Sequence, residues 1–555
     1  MNTSPSSIVV LATLLAFAAS ASDFTWMASP ADAFWNATSP NWNSGEAWID
    51  NASAPNNAIF PSDSSQKTIS IPAGETRHVG NMTVDGDGYG FGGDGRIGLQ
   101  GRMTFNKGCT INALIDAKKA SGLDFSTSAA VFASGGYSTL DPGDGPTNIV
   151  GRMSVRGRLK LASGVTRLGC PQNALGDNAL LYVLGNYNRF NDNNGHLEVA
   201  GATLYASQNF YVEISQFAQV TVKDGGKVVM PNVEWLNGLY NPSRLTVANG
   251  AEFIVATLRI CDAYASQVNL EEGGLMAVNF LGIRPNNTNQ AKFRFNGGRL
   301  QSRDGRSAFL GSVNSTTPTD EDWNRAVKFA VGEGGAVFDT TNGRNLYWSR
   351  PLLSDAEHDG GLRKTGNEIL VLTHTNAYNG ITCVDAGAIQ LRVDNALPPG
   401  TTVRLGRSDA YIDGWSFGSN AHATEQWMRR VEGLGELHAC ANMHVTNSIA
   451  PAVNGTLDFQ NACDLRGDYE ITGDAGGCGC IKVVAGQDIS ALTLRVTDIS
   501  AFNGDAAVRT YKILDAPNGY TGEFVVGNLA DPWYVKYAEN AAYLFCKRGL
   551  VIAIR

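Results

Sequence analysis

The chain has no basic run. Its 43 Lys and Arg are dispersed among 555 residues against 52 Asp and Glu, for a formal net charge of −9. A nucleic-acid binder concentrates cations to neutralise phosphates, so a nucleic-acid partner is not expected. Cysteine is sparse, scattered and odd in number, at nine residues, which excludes a dense disulfide scaffold and leaves most thiols as small apolar side chains. Charged residues of both signs make up only 17% of the chain, so Asn, Ser, Thr and Gln must supply much of the polar surface. Beyond the N-terminus no apolar stretch is long enough to cross a bilayer, so no transmembrane segment is expected in the mature chain. Also missing are a Ser-His-Asp arrangement, a phosphate loop and a dinucleotide fingerprint. The glycines from Gly86 to Gly95 precede no helical pattern and no Lys-Ser or Lys-Thr pair. No cofactor is expected.

What the chain has is repetition. Apolar-polar-apolar triplets stand at Met103-Thr104-Phe105, Met153-Ser154-Val155, Leu197-Glu198-Val199, Val220-Thr221-Val222, Leu245-Thr246-Val247, Val268-Asn269-Leu270, Phe293-Arg294-Phe295 and Phe329-Ala330-Val331. In the middle of the series the step is 23 to 25 residues. The first two steps are nearly double, with Ala130-Val131-Phe132 and Leu181-Tyr182-Val183 falling midway. Such a period built from strands marks a solenoid in which each turn buries its face on its neighbours. The predicted fold is therefore all-β, a right-handed single-stranded parallel β-helix with capped ends; the hand follows from the chirality of parallel crossovers. At this length an ordinary globular reading would need several domains, whereas a solenoid needs one. The triplet centres predict one outward column: Thr104, Ser154, Glu198, Thr221, Thr246, Asn269, Arg294 and Ala330. Four coils would separate Glu198 from Arg294, about 19 Å at 4.8 Å per coil, too far to act on one bond.

Four segments are expected. Residues 1–21 read as a signal peptide, with an apolar run from Ile8 to Ala19 and a small-residue cleavage site at Ala19-Ser20-Ala21, although no Lys or Arg precedes the run. Residues 22–66 hold Trp26, Trp35, Trp42 and Trp48 and read as an aromatic N-terminal cap; the competing use is stacking of exposed indoles on sugars. The β-helix spans 67–508, with an insertion in one rung between Ser302 and Arg325 that contains a short helical turn at Asp320-Glu321-Asp322-Trp323. Closing strands occupy 509–555.

Between Gly360 and Pro398 the chain reads GGLRKTGNEILVLTHTNAYNGITCVDAGAIQLRVDNALP. Gly360, Gly361, Lys364, Thr365, Gly366, Asn376, Tyr378, Gly380, Gly387 and Leu391 lie where the autotransporter-associated β-strand repeat has its glycine pair, Lys-Thr-Gly turn, Asn-x-Tyr-x-Gly turn and final strand. The segment resembles that repeat, departing mildly at Asn367-Glu368-Ile369 and at Ile389. The resemblance implies an exported, surface-displayed or released β-helix and brings no catalytic residue. True autotransporters add a C-terminal membrane barrel of about a dozen strands. No such barrel follows here, so self-export is not expected.

Candidate chemistry is thin, and no catalytic, cofactor-binding or metal residue is assigned. Cys478-Gly479-Cys480 is the one close cysteine pair, without a second pair at zinc spacing. Val84-Asp85-Gly86-Asp87-Gly88 opens like a calcium loop but lacks the closing Glu, and Asp192-Asn193-Asn194-Gly195 reads as a turn. His438, Cys440 and His444 would share one strand face, with the histidines about 20 Å apart, too far for one ion unless a turn intervenes. The expected function is a secreted or cell-surface, adhesin-like or structural β-helix that presents a polar repetitive flank to polysaccharide or a surface matrix. The alternative is a carbohydrate-active enzyme, a polysaccharide lyase or glycoside hydrolase, on the same scaffold. The outward column supplies neither the clustered acids of a lyase nor the carboxylate pair of a hydrolase.

Overall fold

The computed structural model describes residues 21–100, the strands between 102 and 184, and residues 196–546 apart from 207–210, 216–217, 238–242, 262–265, 284–289, 313–318, 416–422, 475, 485 and 503–509. The signal-peptide reading, Ala130-Val131-Phe132 and Asp192-Asn193-Asn194-Gly195 lie outside the described residues. Strands account for 54% of the protein and helix for 3%, and the strands stack as parallel coils of a β-solenoid.

The driving pattern is strict alternation. In Gln219–Lys223, Arg244–Val247 and Gln267–Glu271 the two apolar residues are buried while their neighbours face outward. A strand turns successive side chains to opposite faces, so each coil buries two residues per triplet. Stacked coils join these into one cluster of buried residues that runs from Phe24 to Leu544. Among the described strands the pairings are parallel until Thr510–Asp515 meets Ala541–Cys546.

One face of the coils is a 12-stranded sheet from Thr68–Ser70 to Leu353–Ser354. Within it Leu197, Val220, Leu245, Val268, Phe293 and Phe329 lie in direct register, so six of the eight triplets stack as expected. The first two do not. Met103-Thr104-Phe105 and Met153-Ser154-Val155 belong to a different face, where they flank Leu123-Asp124-Phe125, and Leu181-Tyr182-Val183 follows the second of them. Thr104 and Ser154 therefore leave the predicted column, and Lys160 takes the place before Glu198. The physical reason is that all faces of a coil bury their inner residues alike, so an apolar-polar-apolar triplet carries no label for its face. Corners appear as register shifts inside long strands: Lys227–Asn237 follows Glu252–Cys261 first along one face and then, after a shift between Met230 and Glu234, along the next.

Both ends are covered. Trp26, Trp35, Trp42 and Trp48 are all buried, at 0–1% exposure, and so present no indole face to a sugar. Their rings meet edge-on or tilted, with centroids 4.8 to 5.2 Å apart for the Trp26–Trp42, Trp35–Trp42, Trp35–Trp48 and Trp42–Trp48 pairs. Phe60 links them to Tyr89 and Phe91 in the first coils. Asp23–Thr25 pairs in parallel with Asn57–Phe60, so the cap also satisfies the outermost backbone edge. At the far end, Trp533–Ala538 and Ala541–Cys546 form an antiparallel hairpin laid on Thr510–Asp515.

The insertion carries a helix, Asp320–Ala326, started by a capping box in which the Thr319 side chain accepts from the Asp322 amide. Its Trp323 is buried beneath the Arg350 guanidinium and beside Phe329, which ties the insertion to the core.

The segment at 360–398 is a compact piece of coil chemistry. Gly361 sits at φ +71, and a Cβ there would meet the Ile381 carbonyl oxygen at 2.0 Å, so only glycine fits this close passage of two coils. Lys364 points inward and is fully buried. Its ammonium donates to the carbonyls of Thr365, Gly366 and Ala386 at 3.0, 2.7 and 3.1 Å, closing the turn that it opens. Asn376 accepts from the Leu352 amide and donates to the carbonyls of His374 and Ala396, and the Tyr378 hydroxyl meets Thr382 at 2.6 Å. Lys364 and Asn376 hold backbone, and Tyr378 holds a side chain of the next strand.

Candidate functional site

The solvent side of the 12-stranded sheet is a regular surface. Two rows run across it in register. One is His196, Gln219, Arg244, Gln267, Lys292 and Lys328; the other is Glu198, Thr221, Thr246, Asn269, Arg294 and Ala330, of which Glu198 and Ala330 are buried. Neighbouring coils are laced by short polar contacts: His196 to Thr221 at 3.0 Å, Arg244 to Gln267 at 3.0 Å, Asn269 to Thr246 at 3.4 Å and Lys223 to Glu198 at 3.6 Å. Glu198 and Arg294 stand four coils apart, as expected.

The rows end in a charged knot. Asp355 receives Lys292 at 2.6 Å, Arg294 at 3.4 Å and Lys328 at 3.9 Å, while Arg294 also reaches Glu271 at 3.2 Å. Burial pushes the Asp355 carboxyl up, but the Lys292 hydrogen bond and charge, with Lys328 and Arg294, outweigh it and hold the group below the usual carboxylate range. The knot is a structural clamp, its cations already engaged.

The remaining sequence candidates are not gathered into a site. Ala439, at φ +47, turns the chain between His438, which ends one strand, and Met443, which begins the next. The expected single strand through 438–444 is therefore broken by a corner. His438 stacks on Tyr411 at 4.5 Å and bonds Glu436, His444 stacks on Trp427 and bonds Asp464, and the buried Cys440 thiol donates to the Asn461 carbonyl at 3.3 Å. Burial pushes the Cys478 and Cys480 thiols up to about 12, which disfavours the thiolate a metal would need. Gly86 lies in a turn so close to the Pro61 carbonyl that a Cβ would approach it to 2.5 Å, which accounts for the glycine in the calcium-like sequence by packing alone. Among the described residues no group of three or more His, Cys, Asp or Glu is arranged to hold a metal ion.

Two features escaped the sequence reading because they depend on register across coils of unequal length. Glu436 lies directly opposite Asp458, which in turn lies opposite Lys482. Neighbouring strands are about 4.8 Å apart, so the two acidic residues leave adjacent coils side by side. Each carboxylate has a partner: His438 meets Glu436 at 2.5 Å and Lys482 meets Asp458 at 2.6 Å. The second feature is the Trp427–His444 stack, with ring centroids 3.9 Å apart and planes 7° from parallel.

No family model matches the chain, and no curated protein matches it. No helix among the described residues is long and apolar enough to cross a membrane.

Proposed function

We propose that the protein is a secreted or cell-surface, adhesin-like structural β-helix whose polar flank engages polysaccharide or a surface matrix, and that residues 360–398 are a repeat of the autotransporter-associated kind. The observation that carries this reading is the pair of in-register rows on the 12-stranded sheet, which place at least one amide, hydroxyl or charged side chain on each coil from His196 to Lys328. A surface of that kind offers a hydrogen-bonding group at each step of about 4.8 Å and so suits an extended polar polymer. Binding by many weak contacts gains strength through avidity. Affinity electrophoresis of the mature chain through gels containing soluble polysaccharides tests this: retardation in at least one gel is expected, without release of reducing or unsaturated ends. Unchanged mobility in all of them would overturn it.

The second reading, a carbohydrate-active enzyme, draws on the Glu436–Asp458 juxtaposition. It requires reducing or unsaturated ends to accumulate with the wild-type chain and to fall by at least about a hundredfold with Glu436→Gln, the scale expected for removing a general acid or base.

A further inference from the structure

Trp427 is one of the few large apolar side chains left exposed, at 39%, yet its setting is highly ordered. It lies at the start of Gln426–His438 with its indole parallel to the imidazole of His444 on the next coil. The indole Nε1 donates to the Glu425 carboxylate at 2.7 Å. His444 Nδ1 is in turn 3.0 Å from Asp464, which stands directly opposite it on the following coil, and Asp464 accepts from Arg466 at 2.7 Å. The ring is thereby held at its edge and from below by partners on three consecutive strand segments.

On the other side of Trp427 the facing position of the adjacent coil is a glycine. On the preceding coil the Gly400 amide donates to the Trp427 carbonyl, and Thr401 stands opposite Met428, so the residue beside Trp427 is Gly400. It has no side chain, and a Cβ placed there would meet nothing within 4 Å. Where a stacked ladder would continue, the adjacent coil supplies no side chain, and the indole is left partly exposed.

We propose that the exposed side of Trp427 is a binding subsite for a single pyranose ring of an uncharged polysaccharide, stacked against the indole over Gly400. The negative face of an indole attracts the partly positive C–H hydrogens on the flat side of a sugar with equatorial hydroxyls. The ring is locked before the ligand arrives, so little side-chain entropy is lost on binding. Glu425 at the indole edge selects against uronic acids by like-charge repulsion and offers a carboxylate acceptor to a sugar hydroxyl. This inference rests on the polysaccharide-binding reading above and names one place where it would occur.

The test is affinity electrophoresis in gels containing mixed-linkage β-glucan, xylan or polygalacturonate, with the wild type, Trp427→Ala and Trp427→Tyr. Retardation of the wild type by β-glucan or xylan is expected, with the apparent Kd raised about tenfold or more in Trp427→Ala, the scale of an aromatic hot spot. Trp427→Tyr, which keeps a ring, should recover part of the loss. Thermal unfolding of Trp427→Ala should stay a single cooperative transition, with a lowered midpoint from loss of the His444 stack and the Glu425 hydrogen bond, so binding is compared below that midpoint. Equal retardation of the wild type and Trp427→Ala by a neutral glycan, or retardation by polygalacturonate alone, would overturn the subsite and leave the general reading standing. Retardation by none of the three would overturn the subsite, and extending the gels to further polysaccharides would then decide the general reading separately.

Discussion

Trp42→Ala is expected to destabilise the N-terminal end of the solenoid by about 3–5 kcal/mol, the range for truncating a buried tryptophan. Trp42 is fully buried and its ring meets Phe24, Trp26, Trp35, Trp48 and Phe60, so the cavity left behind has no flexible neighbour to fill it. The location of the loss is as informative as its size. Stability in a stacked-coil protein is approximately a sum of coil and nearest-neighbour terms, and removing the cap frees the first coils to fray. Hydrogen exchange should therefore accelerate in Asn57–Phe60, Thr68–Ser70 and Thr76–Val79 while Ala291–Asn296 stays protected. Equal acceleration along the whole chain, or none, would show that the cluster does not act as an end cap.

The second large effect is expected at Lys364. Replacing it with Ala removes three buried methylenes, worth about 0.8 kcal/mol each. It also strips the ammonium donor from the carbonyls of Gly366 and Ala386, at about 1–3 kcal/mol per stranded acceptor. The Thr365 carbonyl keeps the Thr340 amide at 2.9 Å. Against these losses stands relief from burying a charge. Burial pushes the Lys364 amine from 10.5 down to about 8, although Asp339, Glu368 and Asp385 pull it upward. That drop corresponds to about 3 kcal/mol. The balance is a net loss of about 1–5 kcal/mol at pH 7, measurable by denaturant unfolding.

The same residue predicts a pH dependence. Its amine is protonated in both states below about pH 8, and between about 8 and 10.5 the unfolded chain binds more protons than the folded one. The Lys364 contribution to stability must therefore rise with pH through that window. Lys364→Ala should lose this rise, and the gap between wild type and variant should widen from pH 8 to pH 10. A constant gap would contradict the buried, depressed amine.

Much of the fold was legible because burial imposes alternation. The Leu197, Val220, Leu245, Val268 and Phe293 triplets could be stacked from their spacing alone, since coils there differ by only two residues, and Phe329 joins them once the insertion before it is set aside. Met103 and Met153 were placed on the wrong face because every face buries the same pattern. The tryptophans at 26, 35, 42 and 48 could be assigned to a cap because the end of a solenoid must be covered. Lys364 could be matched to a motif but not to a role, since nothing in a Lys-Thr-Gly string says that the ammonium turns inward to collect carbonyls.

The candidate sites were less legible. Trp427 and His444 are 17 residues apart while His444 and Asp464 are 20 apart, so no constant period aligns them. The corner at Ala439 and the unequal coils decide which side chains meet, and both are settled by backbone geometry rather than by residue type. Glu436 and Asp458 were missed for the same reason.

The stacking itself is open to direct measurement by pulsed electron spin resonance between keto-reactive spin labels placed on outward positions of the 12-stranded sheet. Labels at 196 and 292 bracket four coils, and labels at 196 and 328 bracket five. The stacked-coil structure predicts separations near 19 and 24 Å, an increment of about 4.8 Å per coil. Separations that do not increase from the first pair to the second would contradict it.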